Sequence, residues 1–542
     1  MRRTIWSRML TLATVLGLPS IALSNPAPAE EPPELSSVAL AGPAPTLSSV
    51  IPAPVETRPQ AGADFRLTSA TIITHPPGDV RVAAIGQLLA AALRPATGYA
   101  LPVGATTMPG APTIALQLGP TEAVLGIEGY RLTVNRTTVT IQANQPAGLY
   151  AGTQTLRQLL PLAIDARTLQ RRSWTVPGGS ILDYPRFGYR GAMLDEARHF
   201  HTLDELKAYV DEMTRFKINY FHLHLADDQG WRIQIDSWPQ LTAVSGAPGT
   251  GVDGVGGGFL TKAQYADLVA YAAARYITVV PEIDMPGHVN AAQVAYPELT
   301  CSGVAPPPRT DTAVGYSSLC IGKEVTYQFI DDVVRELAAL TPGPYIHIGG
   351  DEAQSTTDAD YLTFERRVLP IVAKYNKIPF GWHEIAKSPA SSTAVAQFWD
   401  TSQTNASVAA AVARGTWVVM SPANRTYLDM KYTSSTVLGQ DWAGLIEVQT
   451  AYDWDPGLWV TGVPESSVLG IEAPLWSETL RALQDIQFMA FPRLAAIAEL
   501  GWSRAAQHSW SAFRVRLGAY GARWTLQGVN FYRSPQVTWA TP

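Results

Sequence analysis

The segment with the clearest capacity for chemistry is His347-Ile-Gly-Gly-Asp-Glu352, in which Asp351 and Glu352 place two carboxylates side by side. It overlaps the buried-type run Tyr345–Ile348, so we expect both carboxyl groups at the mouth of a strand. The two glycines let the backbone turn sharply and leave room for a ligand. An Asp-Glu pair is common on its own, and its position after Gly-Gly at a strand end favours a catalytic role.

Two carboxyl groups are the usual catalytic groups of enzymes that cleave a glycosidic bond. One carboxylic acid protonates the leaving oxygen, and a second group stabilises the oxocarbenium-like centre. Adjacent residues do not readily supply the opposed acid and nucleophile of an ordinary retaining enzyme. They suit a different mechanism, in which the substrate's own 2-acetamido oxygen attacks the anomeric carbon. One carboxylate would then orient the acetamido group while the other protonates the leaving group.

The elements that must position this pair follow a strand–helix rhythm beyond Pro185. Helical patterns such as Leu203–Phe216, Lys262–Arg275 and Val325–Leu340 separate several short, mostly buried-type runs. Eight such runs predict an α/β fold in which residues 183–542 form a (β/α)₈ barrel. The predicted strands are Gly191–Leu194, Tyr220–Leu225, Ile277–Ile283, Tyr345–Ile348, Phe380–His383, Ala394–Trp399, Thr416–Met420 and Val468–Ala473.

A barrel of this type performs its chemistry where the strands end and the following loops begin. Acidic, basic and aromatic side chains occupy those positions here, and we expect them to converge on one rim. Several carboxylates beside tryptophan walls suit a carbohydrate substrate. The residues in question are Asp195, Arg198, Asp227, Asp228, Glu282, Asp284, His288, Asp351, Glu352, Trp382, Glu384, Trp399, Tyr427, Asp429, Trp476 and Glu478.

The part of the chain before the barrel divides into three segments. Residues 1–24 combine three arginines, a short apolar run and the small-residue site Ala22-Leu23-Ser24, which predicts an export signal and a secreted protein, extracellular or periplasmic. Residues 25–62 are rich in Pro, Ala, Ser and Glu and predict a disordered linker. Residues 63–182 predict a small α/β domain. Its expected elements are strand Leu67–Thr74, helix Val80–Leu93, strand Thr113–Leu118, the hairpin Tyr130–Asn135 and Thr138–Gln142, and helix Ala147–Leu160.

Composition restricts the partners that the chain can have. The formal net charge is −6 and no basic stripe is present, so nucleic acid is not an expected partner. The early apolar run is too short to favour a transmembrane helix, and no membrane partner is expected. Cys301 and Cys320 lie close together, and after export we expect them to form a disulfide, the alternative being two free thiols. Oligomeric state cannot be read from this composition.

Five motifs together resemble the family 20 glycoside hydrolases, the β-N-acetylhexosaminidases, over about residues 65 to 535. The resemblance includes Ala147–Arg157 in the small domain, and it implies a zincin-like α/β domain before the barrel. It also implies an exo-acting, retaining enzyme with no cofactor and no metal, which removes terminal N-acetylglucosamine or N-acetylgalactosamine through an oxazolinium intermediate. The substrate would be an oligosaccharide or glycoconjugate, with chitin fragments, host glycans and cell-wall sugars all left open. The motifs are Leu194–Phe200, His222–Arg232, Pro281–His288, His347–Glu352 and Leu475–Glu478.

The same resemblance implies a role for each matching residue. Glu352 would act as general acid and then as the base that activates water. Asp351 would hold the acetamido nitrogen and stabilise the oxazolinium, while Tyr427 would donate to the acetamido oxygen. The remaining roles are pocket walls for Trp382, Trp399 and Trp476, sugar-hydroxyl contacts for Arg198, Asp429 and Glu478, and positioning of the acid for Asp227 and His288.

Two other classes of protein fit parts of the pattern. His222 and His224 alternate along a strand and share one face, and with His347 and His383 they suggest a metal-dependent amidohydrolase barrel. Structural histidines are the simpler interpretation, because the acidic motifs explain more residues without a metal. The other class is a noncatalytic sugar-binding protein on a decayed hydrolase scaffold. The presence of Asp351, Glu352 and Tyr427 argues against decay.

Overall fold

The computed structural model describes residues 44–106, 108–120, 122–255 and 257–541. The predicted export signal and residues 25–43 of the predicted linker lie outside the described residues. The described chain forms a small α/β domain followed by a closed barrel of eight parallel strands. No helix within the described ranges is both long and apolar enough to cross a bilayer.

The small domain is built on a mixed sheet of seven strands in the order β1-β9-β6-β7-β5-β3-β4. Burial alternates along β6 and β7, so one face of the sheet packs against α1 and α2. Strands β2 and β8 pair separately as an antiparallel ribbon. The bounds are β1 Glu56–Pro59, β2 Phe65–Leu67, β3 Ile72–Thr74, α1 Val80–Thr97, β4 Val103–Gly104, β5 Thr113–Leu118, β6 Tyr130–Val134, β7 Thr138–Ala143, α2 Pro146–Leu159, β8 Trp174–Val176 and β9 Gly179–Asp183.

The prediction of a disordered linker is wrong for residues 44–62. Strand β1 lies in the sheet and pairs antiparallel with β9, and Ile51 is fully buried. The Ile51 backbone N–H donates to Gln158 Oε1 at 2.9 Å, and its carbonyl accepts from Gln158 Nε2 at 2.6 Å. A proline-rich segment without local periodicity is therefore ordered, because distant side chains satisfy its backbone.

The predicted strand Leu67–Thr74 is also wrong as a single element. The chain forms β2 and β3, which belong to different sheets. Between them Thr71 N–H donates to the Thr68 carbonyl at 3.0 Å, and Thr68 N–H donates to Thr71 Oγ1 at 2.9 Å. Threonine hydroxyls that bond to nearby backbone groups favour a turn over a continuous strand.

All eight predicted barrel strands are confirmed, with bounds that differ by at most two residues. The strands pair in parallel in the order β10-β11-β14-β15-β16-β17-β18-β19, and β10 pairs with β19 to close the barrel. The bounds are β10 Tyr189–Asp195, α3 Leu203–Met213, β11 Tyr220–His224, β12 Ala226–Asp227, β13 Gly230–Trp231, α4 Gln240–Ser245, α5 Lys262–Ala273, β14 Thr278–Glu282, α6 Asn290–Ala295, α7 Glu324–Leu340, β15 Tyr345–His347, α8 Asp358–Lys374, β16 Ile378–Trp382, β17 Val395–Phe398, α9 Ala406–Ala413, β18 Trp417–Met420, α10 Ala423–Thr426, α11 Val448–Tyr452, β19 Val468–Ala473, α12 Leu483–Ala490, α13 Arg493–Trp502 and α14 Trp510–Gln527.

The interior of the barrel changes character from one end to the other. Near the amino ends of the strands it is apolar and aromatic, and a cluster includes Tyr189, Tyr345 and Phe380. Towards the carboxyl ends it becomes ionisable, and His222 and Glu282 are fully buried there. The small domain contacts the amino-terminal end of the barrel, where its residues Glu128 and Asp183 bond to side chains at the start of β10 and of β11. The carboxyl rim is thus left free for the site.

The predicted disulfide between Cys301 and Cys320 is present, and it closes the loop between α6 and α7. Replacing both cysteines with serine should lower the free energy of unfolding by about 3 kcal/mol, because the unfolded chain regains the entropy of an open loop. Denaturant unfolding of the oxidised wild type and the double variant would measure this loss. Wild-type protein treated with a reductant should show the same loss, and an unchanged midpoint in both samples would contradict the prediction.

Candidate active site

The carboxylate pair lies directly beyond β15, where the chain turns over the mouth of the barrel. Gly349 and Gly350 have φ angles of 67° and 103°, a region that favours glycine. A Cβ atom at Gly349 would collide with Asp284 Oδ1, and one at Gly350 would lie 2.7 Å from the Tyr361 hydroxyl oxygen. Both glycines are therefore required by conformation and by space. The turn they make delivers Asp351 and Glu352 to the rim.

Asp351 and Glu352 occupy different surroundings although they are adjacent. Asp351 is buried, whereas Glu352 keeps about a third of its side chain exposed (32%). The imidazole of His288 lies between them and the barrel core, with Nε2 at 3.8 Å from Asp351 Oδ2 and at 3.5 Å from Glu352 Oε2. On its other side His288 Nδ1 is 3.1 Å from Asp227 Oδ1. The structure thus brings together the four residues that the sequence analysis grouped around the acid.

The charge of His288 follows from the carboxylates around it. Burial lowers the pKa of His288, but Asp227, Asp284 and Asp351 outweigh burial and raise this pKa well above the ordinary value for histidine. The raised pKa favours the protonated, cationic form of the imidazole. A cation at this position balances the negative charge of the acidic rim.

Asp284 is a second carboxyl group beside Asp351. It accepts from the Gly350 N–H at 3.0 Å, so it also holds the turn that presents the pair. Burial and the like charge of Asp284 raise the pKa of Asp351 well above its ordinary value. Two buried carboxyl groups this close do not both ionise readily, and we infer that they share one proton.

Aromatic side chains at the end of β16 and in the loops beyond β17, β18 and β19 wall the space in front of the carboxylates. Trp382 is fully buried and donates from Nε1 to Glu282 Oε1 at 2.9 Å. The Trp476 ring lies 5.6 Å from Trp382 and 6.3 Å from Tyr427, measured between ring centroids. Trp399 donates from Nε1 to Glu384 Oε2 at 3.1 Å. Each indole nitrogen named here has a partner, which fixes the orientation of two of the walls.

The predicted hydroxyl contacts cluster around Arg198 and Asp429. Arg198 is buried and pairs with Asp227 at 2.9 Å and with Asp195 at 3.4 Å, and its guanidinium covers the Trp476 ring. Asp429 and Glu478 lie close enough that burial and their like charges raise the pKa of Asp429 well above its ordinary value. An arginine fixed by two carboxylates beside two further carboxyl groups offers both donors and acceptors to sugar hydroxyls.

One aromatic residue of the rim was missed in the sequence analysis. Trp442 is 56% exposed, and its ring lies 5.8 Å from Tyr427 and 6.2 Å from Trp399. It belongs to the long loop between α10 and α11, so it does not follow a predicted strand. A tryptophan in a polar loop fifteen residues after Tyr427 was the available signal. An exposed indole beside the pocket is a surface on which a second sugar ring can stack.

The histidines that suggested a metal site have carboxylate neighbours. His222 Nδ1 is 2.8 Å from Glu472 and Nε2 is 3.0 Å from Glu282, while both nitrogens of His224 also face carboxylates. These carboxylates outweigh burial and raise the pKa of His222 to about 9 and that of His224 to about 10. His347 differs from them, because burial outweighs the effect of Glu282 and lowers its pKa. One ligand atom each from His222, Glu282 and His347 lie within 4.8 Å of one another, which is the spacing of a metal site. His383 lies apart, with its nearest carboxylate at 3.8 Å.

Family models match both domains of the chain. The catalytic domain of glycosyl hydrolase family 20 matches residues 187–361 and 354–505, and domain 2 of this family matches residues 47–184. The chain belongs to glycosyl hydrolase family 20. The predicted family and the predicted class of enzyme, a glycoside hydrolase, are therefore confirmed.

Relatives and solved structures agree with this assignment. The chain is 42% identical over 494 residues to a β-N-acetylhexosaminidase of Cellulomonas fimi, covering 91% of this chain and 98% of the relative. It is 50% identical to the family 20 β-N-acetylhexosaminidase of Streptomyces coelicolor A3(2), with a TM-score of 0.88 over 92% of this chain and 99% of that one. A mutant β-hexosaminidase of Streptomyces plicatus in complex with its product GlcNAc is 51% identical, with a TM-score of 0.88 over 92% of this chain and 98% of that one.

Proposed function

We propose that the chain is an exo-acting, retaining β-N-acetylhexosaminidase that removes terminal N-acetylglucosamine or N-acetylgalactosamine with the help of the substrate's acetamido group. The observation that carries this proposal is the unequal pair at the end of β15. Asp351 is buried beside Asp284 and His288, while Glu352 is partly open to the pocket. An enzyme nucleophile placed opposite the acid is not needed for this chemistry.

In the first step Glu352 donates its proton to the glycosidic oxygen. The acetamido carbonyl oxygen attacks the anomeric carbon, the bond to the leaving group breaks, and an oxazolinium ring forms. In the second step the Glu352 carboxylate takes a proton from water, and the resulting nucleophile opens the ring at the anomeric carbon. Two inversions leave the configuration unchanged. The partial exposure of Glu352 suits a group that meets the leaving group and then water.

Asp351 and Tyr427 are placed to hold the acetamido group during this attack. The Asp351 carboxylate would accept from the acetamido N–H and face the positive charge of the oxazolinium. Burial, Asp351 and Asp429 raise the pKa of Tyr427 well above the ordinary value, so its hydroxyl stays protonated as a donor to the acetamido oxygen. Holding the attacking oxygen close to the anomeric carbon supplies much of the rate enhancement.

The walls and the polar end of the pocket account for the remaining assignments. Trp382, Trp399 and Trp476 would enclose the acetamido methyl group and the apolar face of the sugar. Arg198, Asp429 and Glu478 would bind the sugar hydroxyls, as the resemblance to the family implies.

The proposal is tested by comparing the hydrolysis of 4-nitrophenyl N-acetyl-β-glucosaminide with that of 4-nitrophenyl β-glucoside, each with and without a chelator. We expect cleavage of only the acetamido substrate, at a rate that the chelator leaves unchanged. The first sugar released should be the β-anomer when it is observed by NMR before mutarotation. Equal cleavage of both glycosides would contradict acetamido assistance, loss of activity with chelator would favour the metal-dependent class, and binding without turnover would favour a sugar-binding protein.

We also propose that the enzyme is secreted and acts on fragments of chitin. The arginine-rich start with its apolar run and the disulfide between Cys301 and Cys320 support export. The exposed Trp442 beside the pocket supports a leaving group that is itself a sugar. Amino-terminal sequencing of the protein recovered outside the cytoplasm should begin shortly after residue 24. Release of N-acetylglucosamine from chitin disaccharide should exceed release from a glycoprotein glycan.

A further inference from the structure

Glu282, the last residue of β14, is a fully buried carboxylate that the proposed mechanism does not use. It faces three imidazoles inside the barrel. Glu282 Oε2 lies 2.6 Å from His224 Nδ1 and 3.0 Å from His222 Nε2, and Oε1 lies 2.9 Å from His347 Nδ1. Trp382 donates to the same Oε1. Four side chains at the floor of the pocket therefore contact this one carboxylate.

A continuous line of contacts runs from Glu282 to the proposed acid. His224 Nε2 lies 2.9 Å from Asp227 Oδ2, Asp227 Oδ1 lies 3.1 Å from His288 Nδ1, and His288 Nε2 lies 3.5 Å from Glu352 Oε2. Carboxylates and imidazoles alternate at every step. We name this line, Glu282–His224–Asp227–His288–Glu352, the core relay.

We propose that Glu282 is a positioning residue for the acid–base step, which it controls by fixing the protonation and orientation of His224, Asp227 and His288 in the core relay. The inference rests on the proposed function, because it assigns Glu352 as the acid. Glu282 itself lies behind the pocket walls and acts only through the other members.

The protonation pattern of the core relay supports this role. Both nitrogens of His224 face carboxylates, so both must carry hydrogen and the ring must be a cation. Burial lowers the pKa of His224, but Glu282 and Asp227 outweigh it and raise this pKa to about 10. Without the negative charge of Glu282, the buried His224 imidazolium keeps only one of its two carboxylate partners, Asp227. Asp227 would then lose a fixed donor, and His288 would lose the orientation that Asp227 gives it.

The groups around the relay set the expected direction of the pH effect. Glu282 contacts His222 and His224 on β11 and His347 on β15. Two further carboxyl groups are near it, Asp284 in the loop after β14 and Glu472 on the other side of His222. Asp227 also pairs with Arg198. Removing one buried negative charge from this set favours the deprotonated form of the neighbouring groups. The alkaline limb of the rate profile should therefore move to lower pH. The ionisable groups around Glu282 and the core relay are His222, His224, His347, Asp284, Glu472, Asp195, Arg198, Asp227, Asp228 and His288.

The test compares Glu282→Gln with Glu212→Gln. Glu212 is a buried glutamate on α3 that accepts from Gln487 Nε2 at 2.6 Å and lies outside the core relay, so it controls for the replacement of a buried glutamate side chain by glutamine. We expect kcat of Glu282→Gln to fall about 10- to 100-fold with little change in KM, less than removal of the acid itself costs. The alkaline limb of kcat/KM against pH should shift down by about one unit, and the fall in kcat should be larger for a poor leaving group. Glu212→Gln should retain the wild-type profile.

Several outcomes separate a positioning role from a structural one. If the profile of Glu282→Gln superimposes on that of the wild type after scaling, or if both leaving groups lose the same factor, the inference is overturned. Binding of the product N-acetylglucosamine reports whether the pocket remains intact. If Glu282→Gln does not fold, Glu282→Asp keeps the charge but withdraws it from His224, and the same limb should shift by a smaller amount. Failure of the proposed function would appear differently, as wild-type enzyme that does not cleave the acetamido substrate.

Discussion

Replacing Glu352 with Gln is expected to lower kcat about 10²- to 10⁴-fold on a substrate with a poor leaving group, because the amide cannot donate the proton that the departing oxygen needs. Gln is nearly isosteric with Glu and keeps a polar group 3.5 Å from His288 Nε2, so the pocket should stay intact. The loss should be much smaller in the first step for 4-nitrophenolate, which leaves without protonation. Steady-state kinetics on a 4-nitrophenyl glycoside and on a disaccharide would measure both effects.

The matched control for this variant is Glu324→Gln. Glu324 begins α7, its side chain is 82% exposed, and it pairs with Arg367 on the surface rather than with any residue of the pocket. Its kinetics should equal those of the wild type. Glu352→Gln should still bind N-acetylglucosamine, which separates loss of turnover from loss of binding. Near-normal turnover of the disaccharide by Glu352→Gln would show that another group is the acid.

The sequence was sufficient to predict the barrel and most of the rim because both depend on local signals. Each barrel strand is a short apolar run, and the residue that follows the run must lie at the rim whatever the rest of the chain does. His222 and His224 were predicted to share one face from their spacing alone, and both indeed point into the barrel. The partners of these histidines could not be predicted in the same way. Glu282 lies on the neighbouring strand β14, in register with His224, whereas Glu472 lies on β19, which only the closure of the barrel against β10 brings close.

The errors have the same physical origin. Residues 44–62 carry no periodic pattern, and their order depends on Gln158, which lies about a hundred residues away and bonds both backbone groups of Ile51. Trp442 lies in a loop whose path is set by its packing against Tyr427 and Trp399. Asp284 was placed on the rim, but its contact with the turn before Asp351 depends on the φ angles of Gly349 and Gly350. Local patterns predict elements, whereas these features arise from contacts between elements.

The second large effect is expected for Asp351→Asn. The positive charge of the oxazolinium develops in the transition state beside a buried group, and a preorganised carboxylate there is worth more than it would be in water. An amide of the same shape keeps the packing but cannot supply the charge. We expect kcat to fall about 10²- to 10³-fold, the range typical for removal of one group that stabilises a developing charge.

Kinetics with two leaving groups distinguish this variant from the acid variant. The loss in Asp351→Asn should be similar for 4-nitrophenolate and for a sugar, because Asp351 acts on the attacking acetamido group in both reactions. Affinity for a stable ring-closed analogue of the oxazolinium should fall by a larger factor than affinity for N-acetylglucosamine, since the enzyme binds the transition state more tightly than the product. Asp358→Asn, at the exposed start of α8, is the control and should change neither.

The proton that Asp351 shares with Asp284 adds a sharper test of the same assignment. If Asp351 acts by presenting a negative charge, Asp284→Asn removes the like charge beside it, so Asp351 should stay ionised at lower pH. The acidic limb of the plot of kcat against pH should then move to lower pH. Asp351→Asn should not show this shift, because the pair then contains only one carboxyl group. An unchanged acidic limb in Asp284→Asn, together with a full loss in Asp351→Asn, would mean that Asp351 acts through its shape and hydrogen bonding rather than through its charge.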